Sequence, residues 1–258
     1  MTYDEIACEV SDHVAIVTLN RPEKLNAWTA RMEEQFSEAV RAAATDQDVR
    51  VIILTGAGRG FCAGADMSLL SAVVKDGAPN KGIPQRLTWL LSIPKPIIAA
   101  VNGVAVGLGF ILPLYCDLRF ASDQARFCTV FAKRGLVAEY GIAWMLPRLV
   151  GPGNAVELLF SARTIDAGEA LRIGLVERVF PQEGFLEAVR EYAAELAASV
   201  SPRSLRVMKR QLYEAQSQTL AEAAERAGQD MVASFASEDF REGVAHFLEK
   251  RSPEFTGR

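Results

Sequence analysis

The sequence predicts an α/β fold with parallel strands, followed by a helical C-terminal region. The order strand, glycine-rich loop, helix occurs twice, at residues 49–70 and 97–115. Repeated units of this kind favour a parallel sheet. After Pro181 the apolar residues recur at helical spacing, and the rest of the chain lacks patterns typical of strands. We therefore divide the chain into an α/β core, residues 1–200, and a helical region, residues 201–258.

The elements of the first segment follow from local patterns. "IACEVSDHVAIVTLN" indicates two strands joined at Ser11 and Asp12. Thr29 is a candidate N-cap for the next segment, in which one helical face is apolar; that face comprises Met32, Phe36, Ala39, Val40 and Ala43. "VRVIILTG" is a continuous apolar run, which predicts a strand covered on both sides.

Later segments continue the alternation. Residues 73–84, "VVKDGAPNKGIP", are polar and interrupted by Gly and Pro, which indicates a surface loop near a site. "QRLTWLLSI" predicts a short helix, and residues 97–102 a buried strand. "DLRFASDQARFC" indicates two short strands around a turn. "DAGEALRIGLVERVF" predicts a helix that ends at a glycine and is followed by a strand.

Composition limits the classes of partner. The 258 residues are 50% hydrophobic and 23% charged, with a net charge of −4. No basic surface suggests nucleic acid. Single basic residues and helix N-termini can still bind an anionic ligand.

Cysteine spacing and the apolar runs predict a cytoplasmic protein without a metal. The four cysteines are far apart and form no C-x-x-C pair, so neither a metal site nor a disulfide framework is expected. The N-terminus lacks the apolar core of a signal peptide. Residues 96–116 carry no charge, but Asn102, three glycines and Pro113 interrupt them. We interpret this stretch as strand, loop and buried helix rather than as a membrane span.

The two glycine-rich loops raise the question of what their backbone approaches. The first loop, residues 56–66 ("GAGRGFCAGAD"), lacks the Lys-Ser/Thr ending of a Walker A loop. The second loop, residues 103–110 ("GVAVGLGF"), has only part of a dinucleotide fingerprint. Each loop alone is better explained by a tight strand-to-helix turn. Together they favour two unpaired helix-start N–H groups that converge on one oxygen, forming an oxyanion hole.

Recognisable motifs are spread along nearly the whole chain. They are "VAIVTLNRPEKLNAW", "VRVIILTGAGRGFCAGADM", "PKPIIAAVNGVAVGLGF", "CDLRFAS", "ARF", "LPRLVG", "DAGEALRIGLVERV" and "EGVAHFLEKR". Together they resemble the enoyl-CoA hydratase/isomerase (crotonase) superfamily. The resemblance implies a crotonase-like spiral of ββα repeats and a helical C-terminal region that builds homotrimers or dimers of trimers. It also implies an acyl-CoA thioester substrate, with no cofactor besides the substrate's own coenzyme A.

Carried over by position, the resemblance assigns the binding residues. The oxyanion-hole donors would be the backbone N–H groups of Ala65 and Leu108. The path of the pantetheine and adenine would be lined by Lys24, Leu25, Ala27, Ala63, Asp66 and Met67. Phe247 and Lys250 match positions that reach a coenzyme A, often a neighbour's. Outside the family context, Lys24 and Lys250 would be interpreted as solvated surface charges.

The chain departs from the hydratases of the family at both of their catalytic glutamates. Ile111 and Phe131 occupy those positions, and neither side chain can exchange a proton. Glu139 occupies the position of the single acid in several isomerases of the family. Ile111, Phe131 and Trp144 would desolvate Glu139 and raise its pKa, making it a better base. The alternative is a solvent-facing acid beside a helix start.

These residues predict an acyl-CoA enzyme that shifts a C=C bond of an enoyl-CoA, with Glu139 as the base. Two alternatives stay open. One is an enoyl-CoA hydratase (a lyase) that uses Glu139 and an ordered water. The other is a catalytically silent acyl-CoA-binding protein. Cysteine catalysis at Cys62 is disfavoured because no histidine is at hand to activate the thiol.

Overall fold

The computed structural model describes residues 3–68, 71, 75 and 87–258, and its strands form two sheets. The larger sheet has six strands in the spatial order β1 (Ile6–Ser11), β2 (Val14–Leu19), β3 (Val51–Gly56), β5 (Ile97–Val101), β7 (Leu118–Ser122) and β10 (Arg178–Phe180). The smaller sheet has four, in the order β4 (Gly60–Cys62), β6 (Val104–Val106), β8 (Arg126–Cys128) and β9 (Ile165–Asp166).

Most strand pairs are parallel. Only β1–β2 and β8–β9 are antiparallel among these pairs. The β1–β2 turn consists of Asp12 and His13, with φ of 50° and 62°. Two successive left-handed residues suit the twist of a tight hairpin. The predicted hairpin is confirmed, but its turn lies at Asp12 and His13, one residue later than predicted.

Helices cover the sheets and make up the C-terminal region. They include α1 (Ala30–Thr45), α2 (Leu108–Leu114), α3 (Ile142–Ser161), α4 (Ala167–Arg172), α5 (Phe185–Ser199), α6 (Pro202–Glu214), α7 (Leu220–Phe235) and α8 (Glu238–Glu249). Short 3-10 turns lie at Pro22–Lys24, Thr88–Ser92, Ala132–Arg134 and Ala215–Ser217. The short helix predicted before the strand at residue 97 is the turn at Thr88–Ser92. The loop predicted at residues 73–84 lies outside the described residues, apart from position 75.

The chain winds as a spiral of repeats. After β5 in the larger sheet it adds β6 to the smaller sheet and then forms α2; β7, β8 and α3 repeat the order. The predicted α/β spiral is confirmed. The three-residue strands β4 and β6 inside the glycine-rich loops were not foreseen from the residues, because such short, small-residue segments carry no periodicity.

Strand β3, inside the larger sheet, is buried on both faces. Ile52 and Leu54 point into the core between the sheets, whereas Val51 and Ile53 pack with α5 residues such as Val189. All residues of β3 are buried, which explains its unbroken apolar run. The N-cap predicted for α1 is also confirmed, since the Thr29 side chain accepts a hydrogen bond from the Met32 N–H at 2.9 Å.

A buried ion pair anchors the C-terminal helices to the core. Lys209 Nζ on α6 lies 2.7 Å from Asp117 Oδ2. The Tyr213 hydroxyl donates to Asp117 Oδ1 at 2.9 Å, and the Ile97 N–H donates to Oδ2 at 2.7 Å. Asp117 therefore joins α6 to the start of β5. The division at residue 200 stays a prediction.

The surface of α7 and α8 carries large apolar side chains. The exposed ones are Leu220, Met231, Val232, Phe235, Phe240, Val244, Phe247 and Leu248. A large exposed apolar surface is typical of an interface. Assembly into a trimer or a dimer of trimers stays a prediction. In the described part of the chain, no helix is both long and apolar enough to cross a bilayer, and no three residues cluster as metal ligands.

Candidate active site

The first and second loops lie against each other. β4 and β6 pair in parallel, with Gly60 opposite Val104 and Cys62 opposite Ala105. Beyond these strands the backbones remain close: a Cβ at Gly64 would lie 2.8 Å from the Val106 carbonyl oxygen and 3.8 Å from the Leu108 nitrogen. The two loops thus meet beside the two proposed amide donors.

The amide of Ala65 points away from the strand-like segment beside it. Ala65 forms a parallel bridge with Trp28: the Trp28 N–H donates to the Gly64 carbonyl at 2.8 Å, and the Asp66 N–H donates to the Trp28 carbonyl at 2.9 Å. In this parallel bridge, Trp28 uses its own N–H and carbonyl, and the N–H of Ala65 points to the side away from Trp28. The Ala65 N–H donates no hydrogen bond to another described residue.

The amide of Leu108 is the first of α2. Gly107 is the N-cap residue, with φ 56° and ψ −115°, and no side chain caps the helix. The first N–H groups of a helix have no acceptor within it and lie at the positive end of its dipole. The Gly107 carbonyl accepts hydrogen bonds from the N–H groups of Phe110 and Ile111, at 2.9 and 3.0 Å. The Leu108 N–H donates to no acceptor within the described ranges.

An arginine clamps the first loop to the segment that precedes α1. Arg21 donates to the Ala27 carbonyl at 2.7 Å and to Asp66 Oδ2 at 3.0 Å. Asp66 also accepts the backbone N–H of Ser68 at 3.0 Å and its hydroxyl at 2.8 Å. The Ser68 bonds, followed by that from Arg21, lower the pKa of Asp66 from 3.8 to about 2. The carboxylate therefore stays ionised and holds its loop in place.

Two buried asparagines fix the start of the first loop. The Asn26 side chain donates to the carbonyls of Ala57 at 3.0 Å and Gly60 at 2.8 Å. Asn102, at the end of β5, donates to the Gly56 carbonyl at 2.8 Å and accepts the Gly56 N–H at 3.2 Å. Sequence reasoning missed Arg21 and both asparagines. Their position inside the motifs was the one indication that these three residues matter. The groups that accept their hydrogen bonds lie too far along the chain to be inferred from the sequence.

The residues proposed to line the coenzyme A path fall into two adjoining segments. The Ala63 N–H donates to the Leu25 carbonyl at 2.9 Å, which joins residues 24–27 to residues 63–67. Lys24 and Met67 are exposed, whereas Leu25, Ala27, Ala63 and Asp66 are half-buried. Phe247 and Lys250 lie at the exposed end of α8 and take no part in the bonds that join these two segments.

The two positions of the hydratase acids are apolar and closed to solvent. Ile111 is 0% exposed and Phe131 is 4% exposed. Val130, beside Phe131, has a φ of 60°, which is rare for a β-branched residue. Its Cγ1 would lie 3.4 Å from a Cβ at Gly107, so this strained residue packs against the second loop.

Glu139 lies at the start of α3. Its side chain is half-buried, and its carbonyl accepts the Ile142 N–H at 3.0 Å. Tyr140 and Gly141 follow, with φ of 52° and 75°. Trp144, also predicted beside Glu139, is 42% exposed and has the Arg148 guanidinium 3.8 Å from its ring centroid.

Cys62 is unsuited to nucleophilic chemistry. It is fully buried in β4, and burial raises the pKa of its thiol to about 12. A thiol with such a pKa is not ionised at neutral pH. The burial and raised pKa of Cys62 agree with the prediction that it is not a nucleophile.

Two sheets wound in ββα repeats, with unpaired amides where two loops meet, define an α/β spiral protein of the crotonase type. The model of the enoyl-CoA hydratase/isomerase family matches residues 9–258, and this chain belongs to that family. The predicted family is confirmed.

Individual relatives carry the names of different reactions. The chain is 35% identical to 1,2-epoxyphenylacetyl-CoA isomerase of Escherichia coli strain K12, covering 98% of both chains. It is 34% identical to crotonyl-CoA hydratase of Syntrophomonas wolfei, covering 100% of both. The crystal structure of enoyl-CoA hydratase from Bacillus anthracis superposes with a TM-score of 0.89 at 30% identity, covering 99% of this chain and 100% of that one.

Proposed function

We propose that this enzyme moves the C=C bond of an enoyl-CoA thioester from the β,γ to the α,β position, with Glu139 as the acid and base. One observation carries the proposal. Both positions that hold the acids of a hydratase are filled by the buried apolar side chains of Ile111 and Phe131, whereas the carboxylate of Glu139 is retained.

The reaction needs an oxyanion hole and one carboxylate. The substrate's carbonyl oxygen accepts the N–H groups of Ala65 and Leu108. Glu139 removes a proton from C2, and the electron pair of that C–H bond delocalises onto the thioester oxygen, giving a dienolate. The protonated Glu139 then returns the proton to C4, and the double bond forms between C2 and C3. Each hole donor contributes roughly 3–4 kcal/mol to transition-state stabilisation.

Hydration makes different demands. Water must be deprotonated as it attacks C3, while C2 must receive a proton. Family hydratases divide this work between two carboxyl groups. Ile111 and Phe131 offer neither a proton nor a hydrogen bond that would hold the water. The names of the relatives do not decide the matter, because an isomerase and a hydratase are about equally similar.

Binding of the coenzyme A part relies on the two segments around Leu25 and Ala63. Their exposed and half-buried residues lie where the Ala63 N–H joins the first loop to residues 24–27. In an oligomer, Phe247 and Lys250 would reach a neighbour's coenzyme A. The homo-oligomer, the cytoplasmic location and the absence of any cofactor besides the substrate's coenzyme A remain predictions.

Absorbance of the conjugated thioester tests the proposal. Purified enzyme is incubated separately with a 3-enoyl-CoA and a 2-enoyl-CoA. We expect the conjugated absorbance to appear with the first. Its disappearance with the second would indicate the hydratase. No change with either, while the thioesters still bind, would indicate a silent acyl-CoA-binding protein.

A substitution tests the role of Glu139. Glu139→Gln keeps the size of the side chain but cannot act as a base, and we expect turnover to be lost while thioester binding is retained. Glu183→Gln, at an exposed position near the start of α5, is the matched control and is expected to behave as wild type. Unchanged turnover in Glu139→Gln would remove Glu139 from the mechanism.

A further inference from the structure

Tyr115 connects the helix of the second loop to the turn that carries Glu139. It is the C-cap residue of α2, the helix whose first residue, Leu108, supplies an oxyanion-hole amide. Tyr115 is 2% exposed, and its hydroxyl donates a hydrogen bond to the Tyr140 carbonyl. Burial raises the pKa of this hydroxyl, so it remains a protonated donor at neutral pH.

The turn that receives this hydrogen bond has an unfavourable backbone. Tyr140 and Gly141 are successive left-handed residues, with φ of 52° and 75°. This conformation is costly for a residue with a Cβ, such as Tyr140, and persists only where its surroundings stabilise it. A Cβ at Gly141 would lie 2.8 Å from the Tyr115 hydroxyl oxygen. The hydroxyl thus contacts both residues of the turn.

Backbone hydrogen bonds also join this turn to α3. The Ile142 N–H donates to the Glu139 carbonyl at 3.0 Å, and the Met145 N–H donates to the Gly141 carbonyl at 3.1 Å. Residues 136–139 have no regular secondary structure. The Tyr115 hydroxyl is therefore a direct link between the hole helix and the Glu139 turn.

We propose that Tyr115 is a positioning residue, which holds the Glu139 turn in register with the oxyanion hole through the Tyr140 carbonyl. This inference rests on the proposed function, since it requires Glu139 as the base. Proton transfer depends steeply on the distance between donor and acceptor. A shift of the turn would therefore slow the chemical step while leaving the coenzyme A path and both hole amides unchanged.

The substitution Tyr115→Phe removes one hydroxyl and keeps the ring. We expect the kcat for a 3-enoyl-CoA to fall roughly tenfold, as expected for a lost positioning hydrogen bond, with KM nearly unchanged. The absorbance of bound 4-(dimethylamino)cinnamoyl-CoA moves to longer wavelength when its carbonyl is polarised. The absorbance shift of this probe bound to Tyr115→Phe should equal its shift on the wild-type enzyme, because the substitution leaves the oxyanion hole intact.

Tyr213→Phe is the matched control. It also removes a tyrosine hydroxyl, that of the half-buried Tyr213, which donates to Asp117, and it should lower the melting temperature with kcat unchanged. If Tyr115→Phe alters kcat, KM and the absorbance shift together, or if Tyr213→Phe lowers kcat equally, the hydroxyl has only a general structural role and the inference is wrong.

A double-mutant cycle with Glu139→Gln separates the two proposals. If Tyr115 acts through Glu139, Tyr115→Phe should not change the residual rate of Glu139→Gln. An inactive wild type, or a Glu139→Gln enzyme with full activity, overturns the proposed function and this inference with it. If wild type is active, Glu139→Gln is inactive and Tyr115→Phe equals wild type, only the role of Tyr115 is overturned.

Discussion

Gly64→Ala tests whether the two loops bind a single oxyanion. The new Cβ would lie 2.8 Å from the Val106 carbonyl oxygen, whereas ordinary contact begins at 3.4 Å. The first and second loops must therefore separate by about 0.6 Å at this point, the difference of those two distances. The φ of +97° at Gly64 is also unfavourable for alanine.

The expected effect follows from the position of the clash. Gly64 precedes Ala65, and its Cβ would also lie 3.8 Å from the Leu108 nitrogen, so the separation widens the space between the two donors. Complete loss of one donor typically lowers kcat by about 10²–10³-fold. We expect a partial loss, roughly tenfold to a hundredfold in kcat.

Two measurements on Gly64→Ala would show this effect. One is kcat for a 3-enoyl-CoA; the other is the absorbance shift of bound 4-(dimethylamino)cinnamoyl-CoA, which should shrink with the hole. Gly153→Ala, where a Cβ meets no atom of the described residues within 4 Å, is the control and should keep both values. A Gly64→Ala enzyme with normal kcat and a normal shift would refute the convergence of the two amides.

Three further predictions concern stability and reactivity. Lys209→Met leaves Asp117 without its buried cation, so the free energy of unfolding in urea should fall by roughly 3 kcal/mol; no change would show that the pair is dispensable. The pKa of Asp66 is lowered from 3.8 to about 2. The contribution of its carboxylate to the free energy of unfolding is therefore complete above pH 3.8 and is lost as pH falls through 2. The stability difference between wild type and Asp66→Asn should accordingly shrink between pH 4 and pH 2, and a difference independent of pH would contradict the assignment. Cys8 is the exposed cysteine, whereas Cys62 is buried and has a thiol pKa of about 12. Iodoacetamide at pH 8 should therefore label Cys8 alone, which mass spectrometry of peptides would show. Rapid labelling of Cys62 would contradict its burial.

The fold was largely predictable because its strands and helices carry strong local patterns. The apolar run at β3 and the capped helix α1 are examples, since burial on both faces or on one face determines their spacing. The strands β4 and β6 were not predictable from pattern. Each has three residues. They form because β3 and β5, which precede the two loops, are neighbours in the larger sheet and so place the loops side by side.

The candidate site could be assigned from the sequence only at motif positions. Ala65 and Leu108 are proposed as donors because the resemblance supplies the register of both loops, and their role stays a prediction. The Lys209–Asp117 pair joins residues that are 92 positions apart, and no local pattern indicates such a partner. The link from Tyr115 to Tyr140 likewise depends on how α2 packs near α3, which only the tertiary structure defines.

The most direct test of the central claim is one incubation of a 3-enoyl-CoA with wild type and with Glu139→Gln, analysed by mass spectrometry and NMR. With wild type, we predict a conjugated 2-enoyl-CoA of unchanged elemental composition; with Glu139→Gln we predict unreacted substrate. A product heavier by one water, or equal conversion by both enzymes, would contradict a single-glutamate isomerase.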